Sequence, residues 1–100
     1  MSTRCAHYQV DKMPRYLDDL TKIEIHIAQE NPLAAVQMWL HIDEQVDLLS
    51  DPNFPRRPGR VVSTFELVAH KNYIIVLTQD DAQCAVRVLR VLHAAQQYPS

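Results

Sequence analysis

The stretch "IAQENPLAAV" (residues 27–36) breaks a long helical pattern at Asn31-Pro32. Proline disfavours helical geometry in the residue before it, so the first helix stops here. Asn31 is a good N-cap and Pro32 suits the first helical position, so a second helix starts at the same place. Upstream, "YLDDLTKIEIHIAQEN" carries Tyr16, Leu20, Ile23 and Ile27 at helical spacing, with Asp18 and Asp19 near the positive N-terminal end and Pro14 in the first turn. Downstream, "LAAVQMWLHIDEQVDLLS" puts Ala35, Trp39, Ile42, Val46 and Leu49 on one stripe and Asp43, Glu44 and Asp47 on the outer faces. Asp51-Pro52 ends it. The two segments read as a helical hairpin.

Strand patterns flank the hairpin on both sides. In "CAHYQVD" (5–11) Ala6, Tyr8 and Val10 alternate with His7, Gln9 and Asp11, the period of a half-buried strand. "PNFPRRPGR" (52–60) holds three of the six prolines and the only glycine, and reads as a loop. Then "TFELVAH" alternates Phe65, Leu67 and Ala69 inward against Thr64, Glu66 and His70. "NYIIVLT" is apolar through its middle, as a strand covered on both faces is. "CAVRVLRVLH" is the third of this group. Their connections, 70–72 and 79–82, are short enough for hairpins. The fold class is therefore α+β: one domain over residues 1–100, a helical hairpin on a small antiparallel sheet, in the order β-α-α-β-β-β.

The composition is that of an ordinary globular domain, with 47% hydrophobic and 22% charged residues. No apolar run approaches the roughly 18 residues of a membrane helix, and no signal-peptide core is visible, so a cytoplasmic protein is expected. In that reducing compartment Cys5 and Cys84 read as small apolar strand residues. Charge is uneven. Residues 1–51 hold four Lys and Arg against nine Asp and Glu (−5), and residues 52–100 hold six against three (+3), which together give the net −2. Two faces of opposite sign are implied, but not the cationic excess of a general nucleic-acid binder.

Few catalytic templates fit. One glycine excludes a glycine-rich phosphate loop. The five histidines, His7, His26, His41, His70 and His93, fall on different elements without metal-ligand spacing, so neither a metal nor a cofactor is expected. Asp18-Asp19 and Asp43-Glu44 read as solvated helix faces. The arginines are more informative. Arg56, Arg57 and Arg60 lie in the loop, and Arg87 and Arg90 on the last strand. An odd separation puts Arg87 and Arg90 on opposite sides of a regular strand, one free for a cationic surface and the other turned to the helices or an acid. His93 and Tyr98 follow that strand, either packed back over the sheet or exposed for recognition or acid–base work on RNA.

Three blocks, in order, are similar to one known family. "YLDDLTKIEIHIAQENPLAA" resembles the first helix and Asn-Pro turn of the RelE/ParE superfamily of bacterial toxins. "RPGRVVSTFELVAHKNYIIVL" resembles its basic loop and central hairpin, and "VRVLRVLHAAQQYP" its closing strand and tail. The DDL helix and the His-plus-Tyr-Pro ending look closer to the ParE branch. The resemblance implies the toxin of a type II toxin–antitoxin pair, neutralised by a small cognate antitoxin in a tight complex of 1:1 pairs that assemble up to a heterotetramer or larger. ParE-type toxins bind DNA gyrase and block replication. RelE-type toxins cut mRNA on the ribosome, with a C-terminal tyrosine or histidine moving protons. Here the sequence departs from the pattern. Where Gly-Thr-Arg-Glu-Leu is common, it reads Ser63-Thr64-Phe65-Glu66-Leu67; where the hairpin continues Tyr-Arg, it reads Leu77-Thr78; and Ala94-Ala95 follow His93. Each change removes a group that holds phosphate, which counts against the nuclease. The expectation is a gyrase inhibitor, not an enzyme, with Arg60, Arg87, Arg90, His93 and Tyr98 at the target surface. The alternatives are an mRNA endoribonuclease with His93 and Tyr98 as catalytic residues, or a detoxified family member acting as co-repressor. Contact with nucleic acid is expected only through the antitoxin or the target.

Overall fold

A computed structural model describes residues 5–95. In chain order it contains β1 (Gln9–Lys12), α1 (Pro14–Ala28), α2 (Pro32–Asp47) with a short 3-10 turn (Leu48–Ser50), β2 (Arg57–Pro58), β3 (Phe65–His70), β4 (Tyr73–Asp80) and β5 (Ala85–His93). The helical hairpin forms at the expected place. Asn31 accepts the Ala34 N–H on its side-chain oxygen at 3.1 Å, and Pro32 opens α2.

The five strands are ordered β1-β5-β4-β3-β2. Strands β3, β4 and β5 pair antiparallel as the meander predicts, β2 adds an antiparallel edge within the segment expected to be loop, and β1 joins the edge of β5 in parallel, with Val10 opposite Val86. Strand β2 is two residues cut from the proline-rich loop. The loop turns tightly: Gly59 donates to the Thr64 carbonyl at 2.8 Å, and any Cβ at Gly59 would collide with the Thr64 hydroxyl. The single glycine is therefore fixed by close approach.

Helices and sheet enclose one core. Tyr16 and Leu20 from α1, Ile42 and Val46 from α2, Leu49, and Ile75, Leu77, Val86 and Val88 from the two central strands are fully buried. Strand β4 is buried from Tyr73 to Leu77, as its apolar run predicted. Burial of this kind is the main stabilising term of a domain this size.

Several local expectations are corrected. Ala6 is exposed and precedes β1. Asp18 and Asp19 lie beyond the first turn of α1, which contains no acid. Asp18 pairs with Lys22 across one turn, and Asp19 turns to the sheet. Asp43 is not on an outer face. It accepts from the Tyr16 hydroxyl at 2.9 Å and pairs with Lys12 at 3.0 Å, tying α1, α2 and the end of β1 together. Glu66 points outward by strand parity yet is only 3% exposed, because Arg57 and Arg60 fold over it. Cys5 and Cys84 are not independent apolar residues. Their Cα atoms lie 5.6 Å apart and the sulfurs are joined in a disulfide.

A bulge also resets the last strand. Val76 faces Arg90 and Leu77 faces Val88, so Leu89 has no partner on β4. Arg87 and Arg90 therefore stand opposite Thr78 and Val76, two residues apart on β4 and on one side of it. The inserted residue cancels the odd spacing that predicted opposite sides.

Candidate functional site

The arginines sort into structural and exposed sets. Arg56 is held by the carbonyls of Asp51 (2.7 Å) and Phe54 (3.1 Å) and by the Gln79 side chain (3.1 Å), and its guanidinium lies 5.7 Å from the centre of the Tyr8 ring. Burial pulls its pKa below the usual arginine value, although the group stays cationic near neutrality. Arg57 and Arg60 share the buried Glu66 carboxylate. One oxygen accepts from Arg57 at 3.1 Å, and the other accepts the Arg60 backbone N–H at 3.1 Å, with the Arg60 Nε at 3.7 Å. The basic loop is thus anchored through its own cations to an acid on β3.

Arg90 meets α1. Its Nε and Nη2 donate to the two Asp19 oxygens at 2.9 and 3.1 Å, in the forked geometry that suits guanidinium and carboxylate. One strand arginine therefore meets an acid of the helix layer, although not through the opposite-side placement that the odd spacing implied. Arg87 is exposed, makes no ion pair among the described residues, and lines an open groove of about 450 Å³ with Ser63, Thr78 and Asp81.

His93 ends β5, exposed, with its Nδ1 accepting the Ala95 N–H at 3.1 Å. It stands opposite Tyr73 in the register, and the rings meet edge-on at 5.5 Å. Arg90 and His93 line a second groove, of about 260 Å³, with Lys22, His26 and Tyr73. Tyr98 lies outside the described residues.

Two sets of residues escaped the reading of the sequence. Tyr73 joins histidines that looked scattered: His41 and His70 ring centres are 6.0 Å apart, His70 and Tyr73 5.9 Å, and Tyr73 touches His93. The signal available was that His70 and Tyr73 flank a two-residue hairpin connection. The other set is a polar network around Asp81. The Tyr8 hydroxyl donates to Asp81 at 2.5 Å, and Gln79 donates to both the Tyr8 oxygen (2.9 Å) and Asp81 (3.0 Å). The Tyr8 hydrogen bond holds the Asp81 carboxyl below the usual range, and the same bond raises the phenol. Nothing in the sequence announced it, since 73 residues separate Tyr8 from Asp81. No three His, Cys, Asp or Glu side chains among the described residues converge on a possible metal position.

This arrangement of helices and strands matches known toxins. The family model described as the ParE toxin of the type II toxin–antitoxin system parDE matches residues 10–98. The chain belongs to the ParE toxin family. This ParE-family toxin is 39% identical to a Sinorhizobium fredii protein named "Putative toxin Y4kP" over 88 residues, covering 85% of the chain and 86% of that protein. Among solved structures it is similar to a chain of the chromosomal ParDE system from P. aeruginosa, with a TM-score of 0.76 at 19% identity, covering 89% of this chain and 98% of that one. It is also similar to a chain of the RelBE2 toxin–antitoxin complex from Mycobacterium tuberculosis, with a TM-score of 0.58 at 25% identity, covering 93% and 98%. The isolated E. coli RelE toxin shares the fold at a TM-score of 0.55 and 17% identity, covering 91% of this chain and 88% of that one. The ParE-family toxin is thus a type II toxin in which Arg87, Arg90 and His93 reach two different grooves. No helix of the described residues is long and apolar enough to cross a membrane.

Proposed function

We propose that this ParE-family toxin stops growth as a protein inhibitor of DNA gyrase, blocking replication, and that a cognate antitoxin neutralises it. The observation that carries this reading is the dispersal of the candidate arginines among the described residues. Arg60 lies on Glu66, Arg87 lines one groove, and Arg90 and His93 line another. Cutting RNA requires an acid, a base and cations converging on one phosphate, and that convergence is what stabilises the developing charge. A protein surface needs no such convergence, so Arg60, Arg87, Arg90, His93 and Tyr98 are assigned to contact with gyrase. Gyrase works on the chromosome, which places the toxin in the cytoplasm.

The antitoxin docks on the helical hairpin. Leu33, Val36 and Leu40 are about half exposed or more along α2, and Leu17 and Ile25 are similarly exposed on α1. An apolar stripe of this extent suits an amphipathic partner helix, with acidic residues to meet the basic second half of the chain. The similar ParDE and RelBE2 structures belong to toxin–antitoxin systems, which supports such a partner for this chain. Pairs of one toxin and one antitoxin are expected to assemble further.

The test is gyrase supercoiling with purified toxin. The toxin should inhibit supercoiling at stoichiometric concentrations, and the antitoxin should restore it. Supercoiling untouched by an excess of folded toxin would remove the gyrase reading.

A further inference from the structure

We propose that the Cys5–Cys84 bond is a reversible redox switch, set by a dithiol reductant, that locks the N-terminal segment onto the β4–β5 turn in the oxidised toxin and releases it in the reduced one. This inference does not depend on the toxin's target.

The bond spans 79 residues of sequence and joins the segment before β1 to the turn before β5. A cross-link closing so long a loop removes many conformations from the unfolded chain, so it stabilises the folded one strongly. The place it stabilises needs support. Cys84 adopts φ 49°, in the left-handed region where a residue with a Cβ is disfavoured. Strand β1 has only four residues and pairs only with β5, so few ladder bonds hold the start of the chain.

Two features make the bond a switch in place of a permanent staple. Both cysteines are partly exposed, which gives an attacking thiolate access to sulfur. The reduced state is also provided for. The Asp81 carbonyl lies 3.2 Å from the Cys5 sulfur and 3.7 Å from the Cys84 sulfur, so either thiol gains an acceptor once it carries a proton. Reduction leaves the remaining anchors in place. The Gln9 N–H still donates to the Cys84 carbonyl (2.8 Å), and the Tyr8 N–H to the Ser50 carbonyl (2.8 Å). The reduced toxin is therefore folded but less stable, with the segment from Cys5 to His7 loosened.

The chemistry balances through a mixed disulfide. A thiolate of the reductant attacks one protein sulfur, forms a new S–S bond, and expels the other cysteine as a thiolate. The second thiol of the reductant then attacks its own sulfur in that mixed disulfide and expels the remaining cysteine. The protein gains two electrons and two protons, and the dithiol leaves as a cyclic disulfide. Where a dithiol reductant is abundant the reduced form prevails, and the oxidised toxin accumulates when that reductant is depleted.

The experiment uses the full chain, oxidised with glutathione disulfide or reduced with dithiothreitol, and the Cys5→Ser and Cys84→Ser variants. The oxidised protein, denatured without reductant, should show no thiol reactive to maleimide, and the dithiothreitol-treated protein should show both. Reduction should lower Tm by at least about 10 °C. Both variants should melt near the reduced value and ignore dithiothreitol, and re-oxidation should restore the wild-type Tm. Free thiols in the oxidised, denatured protein would overturn the proposal. So would equal Tm values in the two states, or a bond that dithiothreitol cannot open in the native protein.

Discussion

Asp19 and Arg90 lie 71 residues apart and form a two-point ion pair, with contacts of 2.9 and 3.1 Å. The same Asp19 oxygen that receives Arg90 Nε accepts the Val91 backbone N–H at 3.1 Å. Strand β1 ends its pairing at Lys12 opposite Val88, so this stretch of β5 lies beyond the last residue that β1 covers. Asp19 supplies there the acceptor that a neighbouring strand would have supplied. The pair joins helix to sheet, and it fixes Arg90 beside His93 in the smaller groove.

Asp19→Ala removes three hydrogen bonds to its carboxylate, all of them charge-assisted, and should destabilise the toxin by about 2–3 kcal/mol. Arg90→Ala leaves the Val91 contact intact and should cost less. Chemical denaturation of both variants and the double variant checks this, with a coupling energy of about 1 kcal/mol or more expected between the sites.

Glu66 holds the basic loop from beneath. Glu66→Gln keeps the shape but removes the charge that Arg57 and Arg60 share. Its stability should fall by about 1–3 kcal/mol. Limited proteolysis should cut near Arg57 and Arg60 sooner than in the parent. An unchanged cleavage pattern would mean that Gly59 and Thr64 hold the loop unaided.

Alkali should expose the knot at Asp43. Burial and the hydrogen bond to Asp43 push the Tyr16 phenol far above its usual value. Burial depresses Lys12, but its hydrogen bonds to Asp47 and Asp43 more than offset this, so its pKa is also raised. Both groups hold their protons more tightly when folded, so their contribution is complete below about pH 10 and lost as pH rises through the folded values. Phenolate absorbance should therefore show Tyr16 ionising only as the chain unfolds. Early, reversible ionisation of all four tyrosines before unfolding would contradict the burial argument.

His93 is exposed, and among the described residues its ring meets Tyr73 edge-on and accepts the Ala95 N–H. His93→Ala should leave stability within about 0.5 kcal/mol of the parent. If His93 belongs to the contact surface, the same variant should need several-fold more toxin to inhibit gyrase, read from a supercoiling titration.

The helical hairpin was legible because its signals are local. Asn31 caps the helix it precedes, Pro32 opens it, and the stripe from Ala35 to Leu49 repeats at helical spacing. The apolar run in β4 was legible for the same reason. What escaped depends on residues that meet only in the folded chain. Leu89 bulges because of how β5 registers on β4, which no spacing within β5 reveals. Asp19 and Asp43 resemble solvated acids until Arg90, Lys12 and Tyr16 arrive from other elements. The Cys5–Cys84 bond forms because β1 enters beside β5, a parallel pairing that a meander pattern does not announce. The site was legible as a list of cations, but their division between two grooves and a buried glutamate was not.

The most direct measurement is pulse-labelling of growing bacteria with thymidine and with methionine in the minutes after this chain is induced without an antitoxin. A gyrase inhibitor lowers thymidine incorporation first, while methionine incorporation continues until replication has stalled. An early fall in methionine incorporation with thymidine unaffected would contradict gyrase inhibition and place the target in translation. Continued incorporation of both would show that the chain has lost its toxicity.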